Sequence, residues 1–178
     1  MLGVLDLWLP ILVTGIVTHV LSTLFWIVLP HHKPEWQALP HEGEFLDWIK
    51  TKQIPQSQYV FPFPQKDSSA AEESGKKAQC SGMLVLWGPP RSMGINIAYT
   101  LAFFFVAAFA IAYLSSLALP SDAEFGRVFQ FVTLAGLLTH CAGQFPGVFW
   151  FRRKVAMDLL DGIAFALATG LVFALLWP

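Results

Sequence analysis

Cysteine, charge and a basic excess are all scarce in this chain, and each shortage excludes something. Its 178 residues hold two cysteines, Cys80 in a polar connector and Cys141 in an apolar run, so neither a disulfide framework nor a cysteine metal site is supported. Charged residues make up 13% of the chain and the formal net charge is -1, which leaves no basic face for nucleic acid. A phosphate loop is missing too, because the stretch from Gly88 to Gly94 lacks the Gly-Lys-Ser/Thr ending and reads as a tight turn. No recognisable nucleophile-and-base motif is read along the chain, so no enzymatic activity is expected.

Apolar residues are the abundant class. They reach 55%, above the usual soluble composition, and they are gathered into long runs. Four runs, at about 7–29, 93–119, 125–145 and 155–177, are long enough to cross a hydrocarbon core of roughly 30 Å at about 1.5 Å per residue. The expected fold is all-α, a four-helix transmembrane bundle forming a single membrane domain over 1–178. The first run lacks a basic leader and a small-residue cleavage site, so it is read as an uncleaved anchor. Within it Gly15, Thr18, His19 and Ser22 follow helical spacing and predict a small, polar stripe facing protein. Ser121 and Glu124 form a capping-box pattern that would open the third run, and Gly143, Pro146 and Gly147 mark where it breaks.

Between the first two runs, 31–91 is polar and rich in proline, a cytoplasmic insertion. Phe45, Leu46, Trp48 and Ile49 fall on one side of a short helix, with Glu44, Asp47 and Lys50 on the other, which predicts an amphipathic surface helix. The runs 58–63 and 83–87 are candidate partners in a two-strand ribbon, and 66–79 reads as an exposed loop. Trp8, Trp36, Trp48 and Trp177, with Arg152, Arg153 and Lys154, are the expected interfacial anchors. The insertion and the turn at 152–154 carry ten Lys and Arg residues, against Arg127 alone on the other face. By the positive-inside rule both termini lie outside the cytoplasm, in a bacterial inner membrane.

Ionisable residues inside the runs are the candidates for chemistry. His19 lies 12 residues beyond Leu7 and His140 lies 13 beyond Arg127, so both sit roughly 18–20 Å from the outer face on a helical rise. Asp158 and Asp161 enter from the other side, one turn apart on one face. A polar intramembrane cluster of His19, His140, Gln144, Asp158 and Asp161 is therefore geometrically possible. Three readings compete: helix-terminal acids paired with Arg152, Arg153 or Lys154, a proton or ion path, or haem held by His19 and His140. No cofactor and no metal site is expected, and haem is the weakest of the three. The run His31-His32-Lys33, with Glu35 and His41 nearby, is read as an interfacial anchor, since Pro30, Pro34 and Pro40 should keep it extended and deny it helical ligand spacing.

Gly162, Ala166, Gly170 and Ala174 recur every fourth residue and form a helix-packing seam, serving either the four runs themselves or another subunit. The stretches Leu-Trp-Leu-Pro-Ile-Leu at 7–12, Leu-Pro-His-His-Lys at 29–33, Gln-Tyr-Val-Phe-Pro at 58–62 and Asp161-Gly162 leading to Phe173-Ala174-Leu175-Leu176-Trp177-Pro178 resemble a family of small bacterial four-span integral membrane proteins with no assigned function. The resemblance covers most of the chain and implies a bacterial membrane protein, with no catalytic residues to carry over. The expected role is a non-catalytic accessory or scaffold subunit of a larger membrane complex, with lipids and other membrane subunits as partners. A small proton or ion channel or transporter using the intramembrane Asp and His residues is the alternative, and a haem- or metal-binding subunit comes after it.

Overall fold

The computed structural model describes residues 2–63 and 80–178, so the loop expected over 66–79 lies outside the described residues. In chain order the helices are α1 (Trp8–Thr23), α2 (Glu42–Thr51), α3 (Met93–Ala118), α4 (Phe125–His140), α5 (Phe145–Phe151) and α6 (Ala156–Leu175), and the strands are β1 (Gln58–Phe61) and β2 (Gly82–Val85). With the short turns that extend them, four helices are long and apolar enough to cross a membrane: Val4–Val28, Met93–Ala118, Phe125–Phe151 and Ala156–Leu175.

The chain divides into two compact units, Met1–Gln37 with Ser92–Pro178, and Ala38–Arg91. The boundary falls after Gln37, not at the end of the first apolar run, because residues 31–35 fold onto α6 and belong with the helices. In the smaller unit, β1 and β2 pair antiparallel, with Gln58 opposite Val85 and Phe61 opposite Gly82. A Cβ at Gly82 would lie 2.8 Å from the tip of the Phe61 ring, so a larger residue there would displace that ring. Trp48 projects from α2 and is half exposed, with its ring stacked on Phe45.

In the larger unit α1 is entered through a 3-10 turn at Val4–Leu7 and left through a π turn at Leu24–Val28. Its buried face carries Thr14, Gly15 and Thr18, with His19 and Ser22 half-buried beside them. Phe105 of α3 lies so close to Gly15 that no side chain fits at that position. The Ser92 hydroxyl caps α3 by accepting from the Ile95 N–H at 3.4 Å.

Two local expectations differ from the structure. Glu124, not Ser121, is the N-cap of α4, and no side-chain cap bond forms; the Ala123 N–H is taken by the Pro120 carbonyl at 3.2 Å, so a turn intervenes. The third helix also does not stop near Phe145. After a 3-10 turn at Ala142–Gln144 it resumes as α5, because Pro146 occupies a first-turn position where no N–H is required. It ends at Arg152, whose backbone is left-handed at φ 50°.

The seam residues Gly162, Ala166, Gly170 and Ala174 are all buried, and the first three face α4. A Cβ at Gly162 would meet Cys141 Sγ at 2.7 Å, one at Gly136 would meet Ala166 Cα at 2.9 Å, and one at Gly170 would meet the Phe129 carbonyl at 3.1 Å. Small residues let the two helix backbones approach this closely. The packed core gathers where α1 begins and α6 ends, around Leu7, Ile111, Leu119, Val128, Val132 and Phe173. Trp177 closes that end by donating its Nε1–H to the Pro120 carbonyl at 3.0 Å.

Candidate metal centre at the start of the last helix

At the opposite end of the larger unit the chain leaves the π turn through Leu29 and Pro30 and folds back at once. The Lys33 N–H bonds the Pro30 carbonyl at 3.0 Å, and residues Lys33–Glu35 close a 3-10 turn. Pro34 starts that turn instead of forbidding it, since the first turn has no use for its missing N–H. Positions i and i+3 eclipse in a 3-10 turn, and this sets His32 Nδ1 3.0 Å from Glu35 Oε2. The extended stretch expected from the three prolines is thus replaced by a turn that juxtaposes a histidine and a carboxylate.

Both histidines reach α6. His31 Nε2 lies 2.9 Å from Asp161 Oδ1, and His32 Nε2 lies 2.9 Å from Asp161 Oδ2. Asp161 is 4% exposed and His32 5% exposed, so this contact is out of water. Glu35 also reaches α6, where its Oε1 accepts the Met157 N–H at 3.3 Å. That N–H is one of the first-turn donors a helix leaves unpaired, so Glu35 serves as a cap supplied from elsewhere in the chain. Of the acids of α6, Asp161 finds its partners in this histidine turn, and among the described residues neither Asp158 nor Asp161 forms an ion pair with Arg152, Arg153 or Lys154.

Aromatic rings wall the cluster. Trp26, presented by the π turn, stacks on the His32 ring with centroids 4.0 Å apart and planes at 15°. Phe25 meets His31 edge-on at 5.8 Å and stacks on Phe165 of α6 at the same distance. With both ring nitrogens of His32 facing carboxylate oxygens, ionised Asp161 and Glu35 require both nitrogens to carry hydrogen, which makes the ring an imidazolium. Burial opposes that charge, but the hydrogen bonds to Asp161 and Glu35 and their negative charges outweigh it, so the His32 pKa is raised above its ordinary 6.5. The Glu35 carboxyl is held below its ordinary 4.5, chiefly by the hydrogen bond from His32, with burial opposing.

Two groups of three metal-capable side chains share His32: His31, His32 and Asp161, and His32, Glu35 and Asp158, with ligand atoms within 4.8 Å of one another in each. Tetrahedral ligands at about 2.05 Å from an ion stand about 3.3 Å apart, so each 2.9 Å contact of the first group would open by a few tenths of an ångström, and the two imidazoles, which face different oxygens of Asp161, would turn toward one ion. In that arrangement Glu35 would accept from His32 Nδ1–H, the carboxylate–histidine pairing that orients metal-bound imidazoles.

The structure distributes the intramembrane candidates as follows. His140, Gln144, Asp158 and Asp161 line one cavity of about 210 Å³, together with Phe104 and Phe165. His19 is not among its walls. Its ring and that of His140 both pack on Phe104, with centroids 6.3 Å and 6.2 Å from it, and His19 Nδ1 is buried without a hydrogen-bond partner. Among the described residues neither His19 nor His140 belongs to a metal-capable group. Trp8 and Trp36 are largely exposed, as are Arg152, Arg153 and Lys154. The sequence reading missed His31, His32 and Glu35 as site residues. The signal available was the three-residue spacing of His32 and Glu35 around a first-turn proline. Comparison with protein-family models, curated proteins and solved structures finds no match to this chain.

Proposed function

We propose that this chain is a metal-binding, non-catalytic integral membrane protein whose working centre is a site for a first-row divalent cation at the cytoplasmic end of its helices. The observation that carries the reading is the convergence of His31 Nε2 and His32 Nε2, each at 2.9 Å, on the two oxygens of the buried Asp161 carboxylate. Two imidazoles and a carboxylate suit Zn²⁺, Fe²⁺ or Mn²⁺, and the absence of a thiolate from the set disfavours Cu⁺. The turn holding His31 and His32 follows directly on the first apolar helix, so metal loading would tie that helix to the last one.

The membrane setting is supported by four helices of sufficient length and apolarity, and the side by the ten Lys and Arg residues that the sequence carries in 31–91 and 152–154, against Arg127 alone between the second and third runs. The resemblance to small bacterial four-span proteins supports an inner membrane. The accessory-subunit reading draws less from the glycine seam than it did from sequence alone, since α4 of the same chain fills three of its four positions. A second reading, a proton path, uses the same residues: His32 between two carboxylates would hold a proton instead of a metal. Equilibrium dialysis of the detergent-solubilised protein against Zn²⁺ separates the two. About one ion per chain, lost in His32→Ala, supports the metal reading, whereas no bound ion together with proton flux in liposomes replaces it. Cys80 is exposed, so a membrane-impermeant maleimide should label it in inverted vesicles and not in intact spheroplasts; the reverse pattern overturns the orientation.

A further inference from the structure

We infer that the cavity beside the histidine turn binds a phosphate–ammonium zwitterion, the chemistry of an ethanolamine-type phospholipid headgroup or of its soluble counterpart. The inference rests on placing this end of the helices at the cytoplasmic interface, and it stands whether or not the metal binds. The cavity encloses about 470 Å³, within the roughly 300–1,000 Å³ span of small-ligand sites. Its walls combine Arg153 and Lys154, the carboxylates Glu35 and Asp158, and the rings of Trp26 and Trp36.

Among the described residues neither Arg153 nor Lys154 has a carboxylate within 4.0 Å, although Arg153 is near enough to Asp158 to feel its charge. The Arg153 side chain passes beside Gly147 of α5, where an added Cβ would lie 3.6 Å from its Cδ and 3.7 Å from a guanidinium nitrogen. A guanidinium next to a lysine presents donors suited to phosphate oxygens. Asp158 makes no hydrogen bond among the described residues, and Glu35 keeps both its oxygens engaged with His32 and Met157. Asp158, in a wall that also carries Trp26 and Trp36, therefore offers a free carboxylate in aromatic surroundings to an ammonium group. A ligand that is only anionic meets repulsion from the two carboxylates, and one that is only cationic meets it from Arg153 and Lys154. A zwitterion satisfies both parts of the wall.

The test is a tryptophan-fluorescence titration of the solubilised full chain with four probes: dihexanoyl phosphatidylethanolamine, phosphorylethanolamine, dihexanoyl phosphatidylglycerol and inorganic phosphate. Expected are a saturable change with an ethanolamine probe and affinity weakened about tenfold or more in Arg153→Gln/Lys154→Gln, whose exposed side chains can change without unfolding the helices. Binding by the lipid alone identifies a membrane headgroup, and equal binding by phosphorylethanolamine identifies a soluble ligand; both support the inference. Equal or tighter binding of phosphatidylglycerol or inorganic phosphate overturns it, as does the lack of any saturable change. Zn²⁺ content measured on the same samples keeps the metal reading separate, because the double variant leaves His31, His32 and Asp161 in place.

Discussion

The two ends of α6 bury side chains to nearly the same degree and for opposite reasons. Phe173, near the C-terminus, is 0% exposed among Leu7, Ile111, Val128 and Val132, where close packing and the filling of space are the whole argument. Asp161, near the N-terminus, is 4% exposed, and its burial is tolerable only because two imidazoles meet its two oxygens. The lesson is that the seam end is held by shape and should respond to volume. The histidine end is held by charge and hydrogen bonding, and should respond to pH, metal and single-atom changes.

The largest expected effect comes from volume at the seam. Gly170→Val should destabilise the protein by about 3 kcal/mol, the upper part of the usual range for overpacking, because Thr133 and the Phe129 backbone leave no room. Thermal aggregation in detergent reads this, and a variant as stable as the parent would mean that α4 and α6 are not in close contact. Asp161→Asn is nearly isosteric and tests the other end: it should lower stability by about 1–3 kcal/mol by removing the charge and turning one of the two oxygens that the imidazoles face into a donor. Loss of volume-insensitive stability at one end only would sharpen the contrast between the two.

The pH response should separate the ends without any mutation. In the metal-free protein the His32 imidazolium contributes fully below its unfolded value near 6.5, and that contribution is lost as pH rises through its raised folded value. Glu35 contributes above its unfolded value near 4.5, and its share is lost as pH falls through its lowered folded value. The thermal midpoint should therefore be highest between about 4.5 and 6.5 and fall on the alkaline side, and His32→Gln should flatten that limb. Metal binding should run the other way and strengthen as pH rises, because the ion must displace the Nε2 proton of His32. Glu35→Gln should weaken metal affinity about 10–100-fold while leaving the three ligands in place, an effect to be read by isothermal titration with Zn²⁺. The smallest effect belongs to Trp177→Phe at the sealed end, which forfeits one exposed hydrogen bond worth no more than about 1 kcal/mol.

The same contrast explains what could be read from the sequence. Apolar runs, a period of four in the glycine seam and a short amphipathic helix are local patterns, and they delivered the four long helices, α2 and the pairing of β1 with β2. Where a local rule was applied too strictly it misled. Pro146 was read as a break and Pro34 as holding its stretch extended, yet each occupies the first turn of a new helical segment, where proline is at ease. The histidine end was hidden for a deeper reason: His32 and Asp161 are 129 positions apart, and nothing in the periodicity of either neighbourhood points to the other. Only the fold, with the π turn presenting Trp26 over His32 and the next turn bending back to α6, brings them together.

Cobalt substitution tests the central claim most directly, since Co²⁺ reports its own ligands by visible absorption. The solubilised protein loaded with Co²⁺ should show the intensified bands of a low-coordinate ion held by nitrogen and carboxylate, at about one equivalent per chain, and Asp161→Asn should abolish them. A spectrum indistinguishable from hydrated Co²⁺, or one that Asp161→Asn leaves unchanged, would contradict the account.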